Sequence, residues 1–125
     1  KMILHASDVE EILKVKAAFT LAVSRLLREA ALPAAKIGRV FLAGSLGSHV
    51  QPRSLIDLGF LPPGLGTRVT LCGNTSLAGA ALLLRHKELR EPCTAWAERA
   101  TSLDLAGDPA FGEAFAKHMV FAWRS

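Results

Sequence analysis

The sequence predicts a three-layer α/β fold, in which a mostly parallel sheet is flanked by helices. Two observations carry this prediction. Short runs rich in Val, Ile, Leu and Phe alternate with longer stretches of helical periodicity, and two of these runs end directly at a glycine. Strands that alternate with helices imply parallel βαβ crossovers. With 125 residues, half of them hydrophobic, the chain is long enough for a single domain over residues 1–125 with its own core.

The first long element is a predicted helix. Ser7 and Glu10 form a capping-box pattern, and the apolar residues that follow recur at helical spacing. The helix is expected to end near Leu32, because Pro33 cannot continue it. Residues 2–4, which precede this helix, are compatible with a short strand.

The first glycine-terminated run, residues 37–43, predicts a strand that is buried on both faces, because it is apolar without alternation. It leads into a glycine turn at Gly44. A short helix is expected within residues 48–58, interrupted or begun at Pro52, and Gly59 is its stop signal.

The second glycine-terminated run, residues 68–72, predicts another buried strand, which ends at Gly73 and Asn74. Helical patterns and turn signals alternate in the rest of the chain. The predicted elements there are a helix over residues 75–87, a second helix over 89–100, a short strand over 102–105, and a last helix capped at Asp108 and begun at Pro109.

Both glycine turns follow strands, so a parallel sheet would place them at one edge, where such sheets bind ligands. At Gly44, Ser45 and Gly47, backbone amides can approach a nucleotide, since glycine has no Cβ and the amides that open a helix attract anions. The alternative is a plain strand-to-helix turn. Gly73 and Asn74 have the same two interpretations: Asn74 bonds a base or sugar, or it caps the following helix.

Lys16 interrupts the apolar stripe of the first helix. One interpretation is a lysine whose aliphatic stem covers apolar surface while its ammonium group reaches water. The other is a lysine aimed at a cleft that holds a phosphate or base. The second interpretation adds Lys16 to the candidate nucleotide-binding residues.

The sequence lacks the motifs of several other kinds of functional site. The first turn matches neither the phosphate-binding loop nor the dinucleotide fingerprint, and no residues are assigned as catalytic. A small acyl-transfer enzyme using Ser45 or Ser48 is a third possibility, although Ala43 stands where a nucleophile elbow has glycine. Cys72 and Cys93 belong to no cysteine or histidine cluster, so no metal site is expected.

Composition limits the partners. The net charge is +4, but the basic residues are scattered and no aromatic residues interleave with them, which argues against nucleic acid. No apolar run is long enough to span a membrane. Two separated cysteines and the lack of a signal-peptide pattern favour a cytoplasmic location.

Four segments, in order, resemble the C-terminal part of the reductive activators of corrinoid proteins, which are ferredoxin-like ATPases. Residues 40–52 with 54–62 look like that family's "hLAGaFGnyldpesAlriGllP", and residues 71–80 look like its "vGNaalaGA". Residues 103–121 are similar to its "ieLa.dp.F.e.F...l.F" ending, and residues 8–18 fit its "Di...qlAKaAi" start. The resemblance covers nearly the whole chain.

The resemblance implies one half of an actin-like (ribonuclease-H-like) ATPase domain, of the actin, sugar-kinase and heat-shock-chaperone superfamily. In that superfamily a glycine turn after a strand holds the adenosine of ATP. The nucleotide-binding residues expected on this basis are Gly44, Ser45, Leu46, Gly47, Gly73 and Asn74, with Lys16 as a further candidate. This chain departs from the family pattern at Ser45-Leu46, where Ala-Phe is usual, and at Ser48-His49, where Asn-Tyr is usual.

The same resemblance implies that the chain is an excised C-terminal subdomain of a larger iron–sulfur protein. That protein would use ATP with Mg to reduce a corrinoid (cobalamin) protein or a corrinoid-dependent methyltransferase. Its two-iron two-sulfur cluster would lie in an upstream domain, and the isolated chain is expected to be inactive. The alternative is a non-catalytic structural module for docking or homodimerisation.

Overall fold

The computed structural model describes residues 3–44 and 49–124. Its helices and strands are α1 (Ala6–Glu29), β1 (Val40–Ala43), α2 (Pro52–Asp57), β2 (Val69–Gly73), α3 (Thr75–Arg85), α4 (Arg90–Arg99) and α5 (Phe111–His118). Three 3₁₀ turns, at Ala34–Lys36, Gly66–Arg68 and Lys87–Leu89, lead into β1, β2 and α4.

The sheet consists of β1 and β2, which pair in parallel. The α/β class with a parallel sheet is therefore confirmed, although this sheet is small. The strand predicted over residues 102–105 is absent, because the Asp104 carboxylate accepts the Gly107 N–H (3.0 Å) and closes a turn instead. Ile3 and Leu4 are not in a strand either, and Met2 lies outside the described residues.

α1 begins and ends differently from its sequence prediction. It starts at Ala6, and the Asp8 carboxylate accepts the His5 N–H (2.8 Å), so Asp8 rather than Ser7 and Glu10 caps the helix. At its C-terminus, the Ala31 N–H donates to the Arg28 carbonyl (3.0 Å) and the Leu32 N–H to the Leu27 carbonyl (2.9 Å). These two bonds define a Schellman motif, whose left-handed position is taken by Ala31 at φ +48°.

Contacts divide the chain into two compact units: Lys1–Val40, Gln51–Val69 and Asp104–Ser125 form the first, and Phe41–Val50 with Thr70–Leu103 form the second. The first unit contains α1 packed against α5. Its buried residues include Ala17 and Leu21 on α1, Leu55 on α2, and Leu61 and Leu65 in the following loop.

The described residues of the second unit bury little side-chain surface. None of its described residues is buried, and Phe41 and Leu71, in the two strands, are 61% and 43% exposed. This differs from the prediction of strands buried on both faces, because a parallel sheet becomes buried only when further elements cover it. Two strands alone provide little independent stability.

Ala31→Gly is expected to raise the free energy of unfolding by roughly 0.5–1 kcal/mol, because glycine occupies the left-handed region without the steric cost that alanine meets there. Urea denaturation measures the change. The matched control is Ala30→Gly, whose residue is right-handed (φ −76°) and which should lose up to about 1 kcal/mol. Equal shifts for both variants would contradict the motif.

Candidate functional site

The two predicted glycine turns lie side by side at the carboxyl ends of the strands. Gly44 follows β1 at φ +93°, and Gly73 ends β2 at φ +63°. The Gly44 N–H donates to the Gly73 carbonyl oxygen at 2.8 Å. Positive φ at both positions is a conformation that glycine adopts freely and other residues rarely do. We call this pair the glycine corner.

The glycine corner is open. A Cβ added at Gly44 or at Gly73 would meet no atom of the described residues within 4 Å. Packing inside the described part of the chain therefore does not explain why both positions lack a side chain. The corner presents bare backbone that a ligand can approach closely.

The start of α3 adjoins the corner. Asn74 is the N-cap residue, and its Oδ1 accepts the Leu77 N–H at 3.0 Å. The amides of Thr75 and Ser76, in the first turn, have no acceptor within the helix. The first turn also contains no acidic residue, so the positive end of the helix dipole is not neutralised there. Asn74 thus caps the helix and keeps its side-chain amide nitrogen as a further donor.

Ser45, Leu46 and Gly47, the other predicted residues of the first turn, lie outside the described residues, as does Ser48. Their role in binding a nucleotide stays a prediction. The acyl-transfer alternative rests on the same segment.

Lys16 belongs to the first unit, whereas the glycine corner belongs to the second. Its side chain is fully buried, so it does not reach water as the first interpretation required. The ammonium group donates to the carbonyls of His118 (3.1 Å) and Ala122 (2.5 Å). Burial, with a smaller contribution from the positive charge of Arg124, lowers the pKa of Lys16. These internal bonds occupy two of its three donors and argue against a nucleotide contact.

His118 is buried, and its carbonyl accepts from the Lys16 ammonium group. The Thr20 hydroxyl oxygen lies 2.9 Å from the Lys16 carbonyl oxygen and 2.9 Å from His118 Nδ1, so Thr20 hydrogen-bonds the imidazole. Burial is the main cause that lowers the pKa of His118, and the charges of Lys16 and Arg124 add to it. A signal was available, since residue 118 follows Phe115 by three positions on the apolar face of α5.

Arg68 connects the two segments that precede the strands. In the sequence it is one of several scattered cations. Its guanidinium Nη1 donates to the carbonyls of Ala35 (3.1 Å) and Ile37 (2.6 Å). Arg68 directly precedes β2, and residues 35–37 lead into β1. The contact therefore links the segments that lead into the two strands, and no local sequence signal predicted it.

Within residues 3–44 and 49–124, no group of three or more His, Cys, Asp or Glu residues is placed to hold a metal ion. In the same residues, no helix has both the length and the apolar character needed to cross a bilayer.

The fold and the glycine corner define a small mixed α/β domain with a ligand-accessible strand edge. The chain belongs to the family described as the C-terminal domain of RACo, the ASKHA domain, whose family model matches residues 1–124. It is 28% identical over 120 residues to the corrinoid activation enzyme RamQ of Eubacterium limosum, covering 96% of this chain and 20% of RamQ. It is also similar in structure to a reductive activator for corrinoid, iron–sulfur protein: the TM-score is 0.81 at 27% identity, over 91% of this chain and 18% of that one.

The chain therefore spans about a fifth of the length of the curated relative that it matches. The resemblance to the corrinoid activators noted in the sequence is confirmed.

Lys16→Met is expected to lower the free energy of unfolding by about 1–3 kcal/mol, because it removes the bonds from the buried ammonium group and leaves the carbonyl of the buried residue His118 without this donor. Chemical denaturation at pH 7 measures the loss. Lys14→Met is the control, since Lys14 lies two positions away on the exposed side of α1 and pairs only with surface glutamates. Similar losses in both variants would show that the buried bonds contribute nothing.

His118 should make the first unit sensitive to acid. The unfolded chain protonates this imidazole near its ordinary pKa of 6.5, whereas the folded chain protonates it only at lower pH. The contribution of neutral His118 to the free energy of unfolding is therefore fully present above pH 6.5, and it is lost as the pH drops through 6.5 towards the folded pKa. His118→Gln should flatten this part of the unfolding profile between pH 8 and pH 5. The exposed control His86→Gln should not, and parallel profiles for wild type and His118→Gln would refute the assignment.

Proposed function

We propose that this chain is the C-terminal nucleotide-binding part of an ATP-dependent reductive activator of corrinoid proteins. Its membership of the RACo family and its likeness to corrinoid activators support a role in corrinoid activation. The observation that carries the nucleotide site is the bond from the Gly44 N–H to the Gly73 carbonyl, between two positions where a Cβ has open space.

In this proposal the adenosine of ATP lies against the glycine corner. Gly44 and Gly73 present backbone without side chains, and the open amides at the start of α3 suit an anionic group. Ser45, Leu46 and Gly47 complete the first turn, and the Asn74 amide supplies a donor. Lys16 is left out of the site, because its donors serve the C-terminal segment.

The remaining chemistry belongs to the longer protein. A two-iron two-sulfur cluster needs four cysteine thiolates, and this chain has two cysteines, so its residues do not fit the cluster. Nor do the described residues include an acidic cluster that fits Mg. We propose that both lie elsewhere in a cytoplasmic iron–sulfur protein, of which this chain is one subdomain, and that its partner is a corrinoid protein or corrinoid-dependent methyltransferase. ATP favours one conformation of that protein only by binding it more tightly.

A docking or dimerisation module is the second candidate. It is favoured by the apolar side chains that the second unit leaves uncovered, with Leu77, Leu84 and Trp96 being 67%, 74% and 65% exposed. On this alternative the glycine corner is only a scaffold turn and nucleotide does not bind there.

Gly44→Ala distinguishes the two candidates. Titration calorimetry with ATP and Mg on the longer protein that contains this chain is expected to show at least a tenfold loss of affinity, since a methyl group would stand where the adenosine approaches. Gly64→Ala is the matched control, because Gly64 also has a positive φ (+86°) and open space but lies in a loop of the first unit. Both variants should lose about 1 kcal/mol of stability.

The site proposal fails if Gly44→Ala and Gly64→Ala bind ATP equally well. It also fails if the longer wild-type protein binds no ATP, and in that case sedimentation analysis of the oligomeric state tests the dimerisation module.

A further inference from the structure

The first unit contains a groove with an apolar lining. It has a volume of about 1040 Å³ and runs between the C-terminal half of α1 and the segment formed by α5 and the following residues 119–124. Its apolar surface is supplied by Leu21, Leu27, Phe111, Ala114, Val120 and Trp123. None of these residues belongs to the unit that contains the glycine corner.

The non-helical wall of the groove is held in place. Residues 119–124 follow α5, and their backbone is anchored at two points: the Ala122 carbonyl accepts from Lys16, and the Arg124 carbonyl accepts from the Ser24 hydroxyl (3.1 Å). Gly59 fits so closely that a Cβ there would stand 2.7 Å from the Ala122 Cα and from the Trp123 nitrogen. The groove is thus formed before any ligand arrives, which reduces the entropic cost of binding.

The charges around the groove are mostly positive. Arg25, Arg28, Lys117 and Arg124 line it, and Asp108 is its single acid. Both Asp108 oxygens are occupied, one by Arg25 (2.6 Å) and one by the Ala110 N–H (2.9 Å). Lys117 pairs with Glu113 on α5.

Arg28 and Arg124 have no carboxylate partner among the described residues. An apolar groove with two such guanidinium groups attracts a ligand that is apolar on one side and acidic at its margins.

The dimensions suit a helix. Along α1 the lining extends from Leu21 to Arg28, a length of about 10 Å or about two helical turns, which is the span from position i to i+7 of a helix. Amphipathic helices bind such grooves through apolar residues at positions i, i+3, i+4 and i+7. We propose that this groove docks an acidic amphipathic helix of a partner protein.

A pair of peptides tests the proposal on the 125-residue chain, after circular dichroism and a cooperative urea transition have shown that this chain folds on its own. Trp96→Phe leaves Trp123 in the groove as the single tryptophan and thus as a local fluorescent reporter. One 14-residue helical peptide has Leu at i, i+3, i+4 and i+7 with Glu at the flanking positions. The second peptide keeps the Leu residues and replaces each Glu by Lys. We expect the acidic peptide alone to change Trp123 fluorescence saturably, with an affinity that falls as salt rises.

Replacing Arg28 and Arg124, which have no carboxylate partner among the described residues, should weaken the binding of the acidic peptide. We expect the double variant Arg28→Ala and Arg124→Ala to raise its Kd roughly fivefold or more, from the usual range for exposed ion pairs. Arg85→Ala with Arg99→Ala, in the second unit, is the control of equal charge and should change nothing. Ala114→Phe fills the groove and should abolish binding of the peptide, while circular dichroism checks that the variant is folded.

Four outcomes overturn the proposal. Equal binding of the two peptides would show unspecific apolar adhesion, and no binding of the acidic peptide at millimolar concentration would show that the groove does not dock such a helix. Displacement of the peptide by ATP would assign the groove to the nucleotide. Finally, a dimer of the chain that Ala114→Phe converts to monomer would show that a second copy covers the groove.

Discussion

A buried ammonium group organises the first unit. Lys16 donates to the carbonyls of His118 and Ala122, which lie more than a hundred residues away in sequence. A buried amine is tolerated only when its donors are paired, so this arrangement requires the end of α5 and the following segment to lie against α1. The hydrogen bond between Thr20 and His118 adds a second link between α1 and α5. Both the packing of this unit and the walls of its groove follow from these bonds.

The second unit depends on a different constraint, which acts on the backbone. The bond between Gly44 and Gly73 joins two strand ends whose positive φ values exclude most side chains. No described residue fills the space beside either glycine, so the backbone conformation rather than internal packing selects glycine at both positions. Gly64 shares the open space and the positive φ, and what distinguishes Gly44 and Gly73 is their direct bond at the ends of two parallel strands. Family membership and the geometry of the glycine corner are independent arguments for the proposed nucleotide site.

Local patterns predicted most elements because their signals lie within a few residues. Gly59 ends the short helix of Pro52–Asp57, and Asn74 precedes Thr75–Arg85, as expected from stop and cap signals. Errors occurred where two local signals compete. The helix α1 starts at Ala6 rather than after Ser7, because the Asp8 carboxylate accepts the His5 N–H and caps the helix in place of the predicted pair Ser7 and Glu10. Instead of the strand expected over residues 102–105, the chain forms the turn that Asp104 closes.

The α/β class, the two glycine turns at strand ends and the likeness to corrinoid activators could be predicted from the order of the residues, because these features depend on short runs. The folded chain alone shows that the turns are neighbours, that Lys16 and His118 are buried, and that Arg68 links the segments before both strands. Each of these facts is a contact between segments distant in sequence. No periodicity or cap signal encodes such a contact, since it exists only once the helices and strands have packed.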